Sequence, residues 1–412
     1  MLTAAWPPVA RVGGRRPLRL ARRLGGLGWT PVVLTPDPDS AFDPPAPIDF
    51  SLVAPPVEVH RVAALFPSNR LRAALRGPVG RLAPRLAGAA LAAHRRLLLP
   101  DVFPEWTAAA VRAARALEPV DVVWVTGGPW GMFVCGAAVA AALDRPLVLD
   151  YRDPWSAEPI VGRAAALSAR RLAPLLEGPI LRRAAAVIYV NEDMLRQNEA
   201  RFGRPPGQPW EVIPNGFDPE DLGTLPPTRF ERPTLLYAGN CYANRRMQPV
   251  LEALARGFGP GQAGLALDVY GSVEPAAAAW LAAHPLPGRV HISGRVGADV
   301  VAAHLRGAAA SLMLVGDTHH HALSGKIFDY LAVDRPILVV GPPDCAAGEL
   351  VRRAGVGAAV DERDQAALVG ALRAVEAGTL PYAPVAAAVR ACSADGMAER
   401  TAAVLDAVVG AR

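Results

Sequence analysis

Four short stretches of this sequence concentrate side chains able to hold an anion or assist bond breaking. In SGKIFDYLAVDRPIL (324–338), Ser324 and Gly325 open a helix whose apolar positions Ile327, Tyr330 and Leu331 recur at helical spacing. A helix start built from small residues exposes unpaired backbone N–H groups at the positive end of the helix dipole, a combination that holds phosphate. Lys326 adds a mobile cation there, and Asp329, one turn on, is able to accept hydrogen bonds from sugar hydroxyls. An ordinary capped surface helix would carry the same residues, so the motif alone leaves both readings open.

LYAGNCYANRRM (236–247) runs from a strand through Gly239 and Asn240 into a helix with Arg245 and Arg246 at its start. Arginine in that position opposes the helix dipole, a cost that makes sense if an anion is bound there; two solvated arginines are the alternative. VLDYRDPW (148–155) brings Asp150, Arg152, Asp153 and Trp155 to the end of a strand, and such a set is costly to bury without a ligand unless Asp150 and Arg152 pair with each other. TGGPW (126–130) ends another strand with the bare backbone of Gly127 and Gly128. The loop Gly13-Gly14-Arg15-Arg16 leads into a helix carrying Arg19, Arg22 and Arg23, and a Gly-Gly pair permits close backbone approach to a ligand.

These stretches need a scaffold that delivers them to strand ends. In the first half, short β-like runs (Pro31–Thr35, Val120–Thr126, Pro146–Tyr151, Ala186–Val190, Glu211–Pro214) alternate with Ala/Leu/Arg-rich helical stretches, the pattern of a parallel sheet with crossover helices. Most end in polar or glycine-bearing loops, where open α/β sheets bind ligands. Residues 218–233, dense in Pro, Asp and Glu, read as a linker, after which the alternation restarts at Thr234–Ala238, Leu265–Tyr270, Val290–Ser293, Ser311–Val315, Pro336–Val340 and Gly357–Val360. The expected architecture is α/β, with two Rossmann-like domains (1–217 and 234–412) facing each other across a cleft. The apolar stretch Met397 to Val409 is a helix able to pack on either domain. Only Leu2–Trp6 precedes the loop Pro7–Gly14, so either the first strand is short or the start codon is placed late.

Composition bounds the function. The 412 residues exceed one compact core, and 51% hydrophobic with 20% charged residues excludes a disordered chain. Of 43 basic residues one is lysine, Lys326, in a chain otherwise biased to arginine, alanine, glycine and proline. Residues 1–200 carry 24 Arg against 17 Asp plus Glu, net +7, while residues 201–412 carry 19 basic against 21 acidic, net −2. The first half is the side expected to meet an anionic partner, and its segments Arg11–Arg23 and Arg61–Arg96 are compatible with anionic lipid as well as with plain solvated faces. The arginines are dispersed without an aromatic-interleaved stripe, so nucleic acid is not expected as a partner. Cys135, Cys241, Cys345 and Cys392 stand far apart with no CxxC pair, which indicates neither a zinc site nor a disulfide framework and suits a reducing cytoplasm. No stretch reads as a membrane span or signal peptide. His319-His320-His321 lacks a companion cluster at ligand spacing, and Asp37-Pro-Asp39 sits in a Pro-rich loop that reads as a turn; no metal is expected.

The order of DYRDPW (150–155), VIPNGFD (212–218), YAGNCYANR (237–245) and SGKIFDYLAVDRPIL (324–338) resembles bacterial glycosyltransferases of the GT-B fold, the family 4-like group, over nearly the whole chain. The resemblance implies a retaining transferase using a nucleoside-diphosphate sugar, bound mainly by the C-terminal domain, and an acceptor bound mainly by the N-terminal one. It matches Arg245 and Lys326 to the cations set against the donor diphosphate, and puts Gly239, Asn240, Gly271, Arg295, Val296, His321, Ser324, Gly325 and Asp329 around the donor. Asp329 takes the second position of the family's Glu-x7-Glu signature; His321 takes the first, a departure. Arg152 and Asp153 fall where relatives face the reacting sugar and acceptor, and Gly13, Gly14, Gly127 and Gly128 match the N-terminal glycine loops. The implied setting is cytoplasmic, with peripheral contact at the inner membrane face and an acceptor that is a glycan, a lipid-linked sugar or a small molecule. No cofactor is implied. A nucleotide-sugar epimerase on the same fold and a non-catalytic nucleotide-sugar binder are the alternatives.

Overall fold

The computed structural model describes residues 1–9, 12–38, 56–63, 89, 103–117, 119–156, 167–241, 244–258, 264–317 and 323–411. The chain divides into two compact units. The first holds the described residues between Met1 and Pro214 together with those from Met397 onward, and the second spans Asn215–Gly396.

The first unit is built on a parallel sheet of β1 (Val32–Pro36), β2 (Glu58–Val62), β3 (Val123–Thr126), β4 (Leu147–Tyr151), β5 (Ala186–Tyr189) and β6 (Trp210–Val212). Leu2 bridges Leu34 of β1 on one side and Val125 of β3 on the other, so this single residue stands where a first strand would. The spatial order is therefore β2, β1, Leu2, β3, β4, β5, β6, with the chain reversing its direction of travel across the sheet at Leu2. The helices are α1 (Arg15–Leu24), α2 (Thr107–Arg115), α3 (Gly131–Leu143), α4 (Leu167–Arg183) and α5 (Glu192–Phe202). Alternate strand residues point to opposite faces. Val125, Leu149, Val187 and Tyr189 pack with α2, α3, α4 and α5, while Trp124, Val148, Ala186 and Ile188 pack with α1 and with Met397, Ala402 and Leu405 of the last helix. β2 is absent from the sequence reading: its Glu-Val-His-Arg-Val pattern is polar, and among the described residues it is the outermost strand of this sheet.

The second unit begins with β7 (Thr234–Ala238) and continues through α6 (Gln248–Gly257), β8 (Ala266–Tyr270), α7 (Pro275–Ala283), β9 (Val290–Gly294), α8 (Ala298–Gly307), β10 (Ala310–Leu314), α9 (Gly325–Ala332), β11 (Ile337–Val340), α10 (Ala346–Ala354), β12 (Gly357–Val360), α11 (Gln365–Glu376) and α12 (Ala386–Ala391). α13 (Ala394–Gly410) carries the chain from the second unit into the first. All its strands are parallel, in the order β12, β11, β10, β7, β8, β9. This is the doubly wound order, and its reversal lies between β7 and β10. Both faces are covered: Leu235, Leu267, Leu312 and Leu338 pack under α6 and α11, and Leu236, Met313, Ile337 and Val339 under α8, α9 and α10. Strands buried on both sides read as near-continuous apolar runs, which is why β7, β10 and β11 were legible.

The segment 218–233 packs within the second unit. Asp218 is buried and caps a short helical turn, Pro219–Leu222, whose Leu222 joins the second unit's core with Phe217, and Phe230 packs against it.

Candidate functional site

In an open α/β sheet the strands diverge where the topology reverses, and the loops leaving their carboxyl ends frame a crevice. In the second unit that point lies between β7 and β10, and it receives the loop Gly239–Arg245 and the start of α9. Gly239 has φ +131°, and a Cβ there would lie 2.2 Å from the Lys326 Nζ. The ammonium therefore rests on bare backbone that only glycine leaves open. Lys326 Nζ donates to the Tyr237 hydroxyl at 2.9 Å and sits 4.4 Å from that ring's centroid. The Tyr237 hydroxyl in turn donates to the Asn240 carbonyl at 3.2 Å. Tyr330 of α9 accepts from Ala238 N at 3.1 Å, which pins the helix to the end of β7.

Burial and next the nearby Arg245 lower the Lys326 ammonium to about 8, with the Cys241 thiol working the other way. Burial raises the Cys241 thiol and the Tyr237 phenol above their ordinary values. The site thus holds a desolvated cation that no carboxylate among the described residues pairs with, at a helix start where Ser324 makes no side-chain cap. That combination favours an anion.

The other residues singled out in the second unit fall as follows. Gly271, at φ +138°, is packed so that a Cβ would lie 2.2 Å from the Gly239 carbonyl oxygen, and Asn240 Oδ1 accepts from Ser272 N and Oγ, both at 3.1 Å. These fix the β7 and β8 loops against each other. A backbone bridge joins Gly271 to Gly294, so Arg295, exposed, and Val296, half-buried, leave the sheet beside the Gly271 turn. Gly325 is exposed, and Ser324 and Asp329 are half-buried. His321, with His319 and His320, lies outside the described residues.

One expectation is corrected. Arg246 is not held for a bound anion: it forms an ion pair with Glu362. The N-terminus of α6 already carries an anion of the protein's own, since Glu274 Oε1 accepts from Met247 N at 2.8 Å and Gln248 N at 3.1 Å. Arg245 stands apart from this pair, half-buried and close enough to act on Lys326.

In the first unit the reversal lies at Leu2, between β1 and β3, and there the glycine loops converge on one guanidinium. Arg152 Nε donates to Gly127 O at 2.9 Å and Nη2 to Gly128 O at 2.6 Å. A Cβ on Gly13 would lie 2.1 Å from Arg152 Nη1, and one on Gly128, at φ +79°, would lie 2.9 Å from Asp153 Oδ2. A Cβ on Gly127 would strike the Phe133 ring at 2.3 Å, while Gly14 packs against the Ala5 carbonyl. Burial lowers the Arg152 guanidinium from its usual value, opposed first by Asp153 and then by Asp150.

The pairing of Asp150 with Arg152 does not form. Asp150 is fully buried and clamped by Arg16, whose Nε lies 3.0 and 2.9 Å from its two oxygens and whose Nη2 lies 2.8 Å from Oδ1. Arg16 Nη1 also reaches the Pro214 carbonyl at 2.9 Å. Arg19 is likewise buried, so these two arginines of α1 are interior residues and present no charge to a membrane. Asp37 follows β1 and its N–H donates to Val62 O; Asp39 lies outside the described residues. Among the described residues no group of His, Cys, Asp and Glu is arranged to hold a metal ion.

Sequence reasoning missed Tyr237, Glu274 and Arg16. The first reads as core at the end of an apolar strand, and the other two act on partners 26 to 134 residues away, which no local pattern reveals.

Comparison with known proteins gives three results. The family model described as a glycosyl transferase 4-like domain matches residues 13–216. No curated protein matches the chain. Solved structures match over nearly the full length at low identity. They include sucrose-phosphate synthase from Thermosynechococcus elongatus (16% identity, TM-score 0.57, covering 96% of this chain and 92% of that one) and the Anabaena protein HepE in complex with UDP-glucose (15%, 0.57, 98% and 98%). A putative UDP-N-acetylglucosamine 2-epimerase from Listeria monocytogenes is also similar (12%, 0.55, 100% and 96%). These likenesses establish the GT-B fold, and residues 13–216 are a glycosyl transferase 4-like domain, which makes this chain a GT-B glycosyltransferase.

Proposed function

We propose that this glycosyltransferase moves a sugar from a nucleoside-diphosphate sugar to a glycan, lipid-linked or small-molecule acceptor with retention at the anomeric carbon. The observation that carries the reading is Lys326, a desolvated ammonium lying on the bare backbone of Gly239 at the start of α9, with Arg245 nearby. As the sugar–phosphate bond breaks, negative charge grows on the leaving diphosphate and positive charge on the sugar. Fixed cations and a helix N-terminus aimed at that diphosphate stabilise the transition state more than the ground state. In this reading Lys326 and Arg245 neutralise the diphosphate, Ser324 and Gly325 supply backbone N–H groups, and Asp329 accepts from the ribose. Gly239, Asn240 and Gly271 shape the loop floor, and Arg295 and Val296 line the base. No step calls for a metal. HepE is described with UDP-glucose bound, which supports a uridine nucleotide as the first donor to try.

Arg152 and Asp153, held by Gly127 and Gly128, are the groups assigned to the reacting sugar and acceptor in the first unit. Lys326→Ala and Arg245→Ala are each expected to lose transfer while melting normally; wild-type turnover in both would remove the assignment. The likeness to an epimerase keeps one second reading in view, and product analysis separates the two, because an epimerase converts its nucleotide sugar with no acceptor.

The same reading includes a cytoplasmic setting with peripheral contact at the inner membrane face. Residues 1–200 carry net +7, and α4 exposes Leu175, Leu176 and Pro179 next to Arg182 and Arg183. Among the described residues no helix is long and apolar enough to cross a membrane. Sedimentation with anionic but not zwitterionic vesicles is the expected behaviour; equal recovery with both would remove this part.

A further inference from the structure

Glu177 lies on α4 with no solvent exposure, and among the described residues it forms no ion pair with an interior cation. A buried carboxylate is costly, and burial raises its protonation above the usual carboxylate range. What it holds is a loop. Its Oε2 accepts from the backbone N–H of Ser156 at 3.1 Å, and its Oε1 lies 3.5 Å from Asn198 Nδ2 of α5. Tyr151 of β4 and Tyr189 of β5 face it from the sheet side, and Arg201 of α5 from the surface side. On the other side of the same residue, Arg201 Nη1 donates to the Ser156 carbonyl at 2.9 Å.

Ser156 is the last described residue of the segment that follows β4 and bears Arg152 and Asp153. The near end, Tyr151, is fixed by its ring, stacked 5.1 Å from that of Tyr189 and 4.5 Å from that of Phe133, and by its carbonyl, which accepts from Val190 N. Trp155 is buried beside Phe133, whose ring also underlies Gly127. The loop is thus anchored at Tyr151 by the sheet, and at Ser156 by Glu177 and Arg201. Between these anchors stand Arg152, donating to the carbonyls of Gly127 and Gly128, and Asp153, beside Gly128.

We infer that Glu177 is a positioning residue: by fixing Ser156 from within it sets where Arg152 and Asp153 stand. This rests on the glycosyltransferase reading of that loop. It makes Glu177 a determinant of turnover and not of donor affinity, since the donor cations belong to the second unit.

The test compares Glu177→Ala, Glu177→Gln, Arg201→Ala and, as a packing control, Leu181→Ala, one turn further along α4 and equally buried. Each is assayed well below its melting temperature for UDP affinity, for turnover of the nucleotide sugar that the wild type consumes, and for hydrogen exchange of the Tyr151–Ser156 segment. Misplacement by about 1 Å is able to cost on the order of a hundredfold in rate. Glu177→Ala is expected to lose roughly ten- to a hundredfold in kcat, with UDP affinity unchanged and Ser156 exchange accelerated. Glu177→Gln, whose amide oxygen still accepts from Ser156 N, restores most of both. Arg201→Ala, a surface change, shifts kcat in the same direction by less, and Leu181→Ala lowers the melting temperature with kcat intact. A folded Glu177→Ala with wild-type kcat, or a Leu181→Ala that loses as much, overturns the inference. If the wild type consumes no nucleotide sugar, the transferase reading fails by itself. The exchange data then still decide the anchoring: unchanged Ser156 protection in Glu177→Ala refutes it.

Discussion

Lys326 offers a prediction whose size follows from its surroundings. Its ammonium is lowered from 10.5 to about 8, chiefly by burial and next by Arg245, which is a penalty of roughly 3 kcal/mol on the charged form. Between those two values the folded protein binds fewer protons than the unfolded chain, so this group's contribution to stability rises with pH there. A diphosphate placed on the ammonium reverses the balance, because its charge restores the proton. UDP binding should therefore take up almost no proton at pH 7, about half a proton at pH 8 and nearly one at pH 9, and affinity should fall about tenfold from pH 7 to pH 9. Calorimetry in buffers of different ionisation enthalpy measures the uptake directly. Lys326→Arg keeps a cation but removes the titration, since guanidinium stays charged throughout. Its affinity should be flat over the same window. Proton uptake that persists in Lys326→Arg, or a flat wild-type profile, would show that the Lys326 ammonium is not the group the diphosphate charges.

Three further outcomes follow from the geometry. Gly239→Ala pushes a methyl group into Lys326 Nζ at φ +131° and should weaken UDP binding by about 1–3 kcal/mol, read by calorimetry on the folded variant. Asp150→Ala leaves Arg16 buried and unpaired, and should destabilise the first unit by about 3–5 kcal/mol in urea unfolding. Replacing Arg16 and Asp150 together by apolar residues should recover much of that loss, because the desolvation penalty goes with the charges. Glu274→Ala strips the cap from Met247 N and Gln248 N and should lower stability by about 1 kcal/mol, leaving turnover within a small factor of wild type.

The sequence made the second unit legible because a parallel sheet covered on both faces needs largely apolar strands, and the central β7, β10 and β11 carry them, whereas the outer β9 (Val-His-Ile-Ser-Gly) is mostly exposed. It concealed β2, whose outermost position allows Glu58, His60 and Arg61 within a strand. The proline- and acid-rich 218–233 segment looked like a linker because its composition is that of loops, yet Leu222 and Phe230 tie it to the second unit. In the candidate site, Lys326 and the glycines stood out by residue type and by spacing from a strand end. Charge partners did not. Asp150 seemed made for its near neighbour Arg152 and is held by Arg16, 134 residues away, while Arg152 spends its hydrogen bonds on the carbonyls of Gly127 and Gly128. Local sequence lists which charges must be reconciled; the sheet order decides with whom.

If Lys326 serves a leaving nucleoside diphosphate, its role is measured most directly by incubating the protein with UDP-glucose and other nucleotide sugars, with and without candidate acceptors, and following diphosphate release and the anomeric configuration of the product by NMR. Release with the donor's configuration retained is expected, abolished in Lys326→Ala at an unchanged melting temperature. Release at the wild-type rate in folded Lys326→Ala, or conversion of the nucleotide sugar with no diphosphate released, would contradict that role.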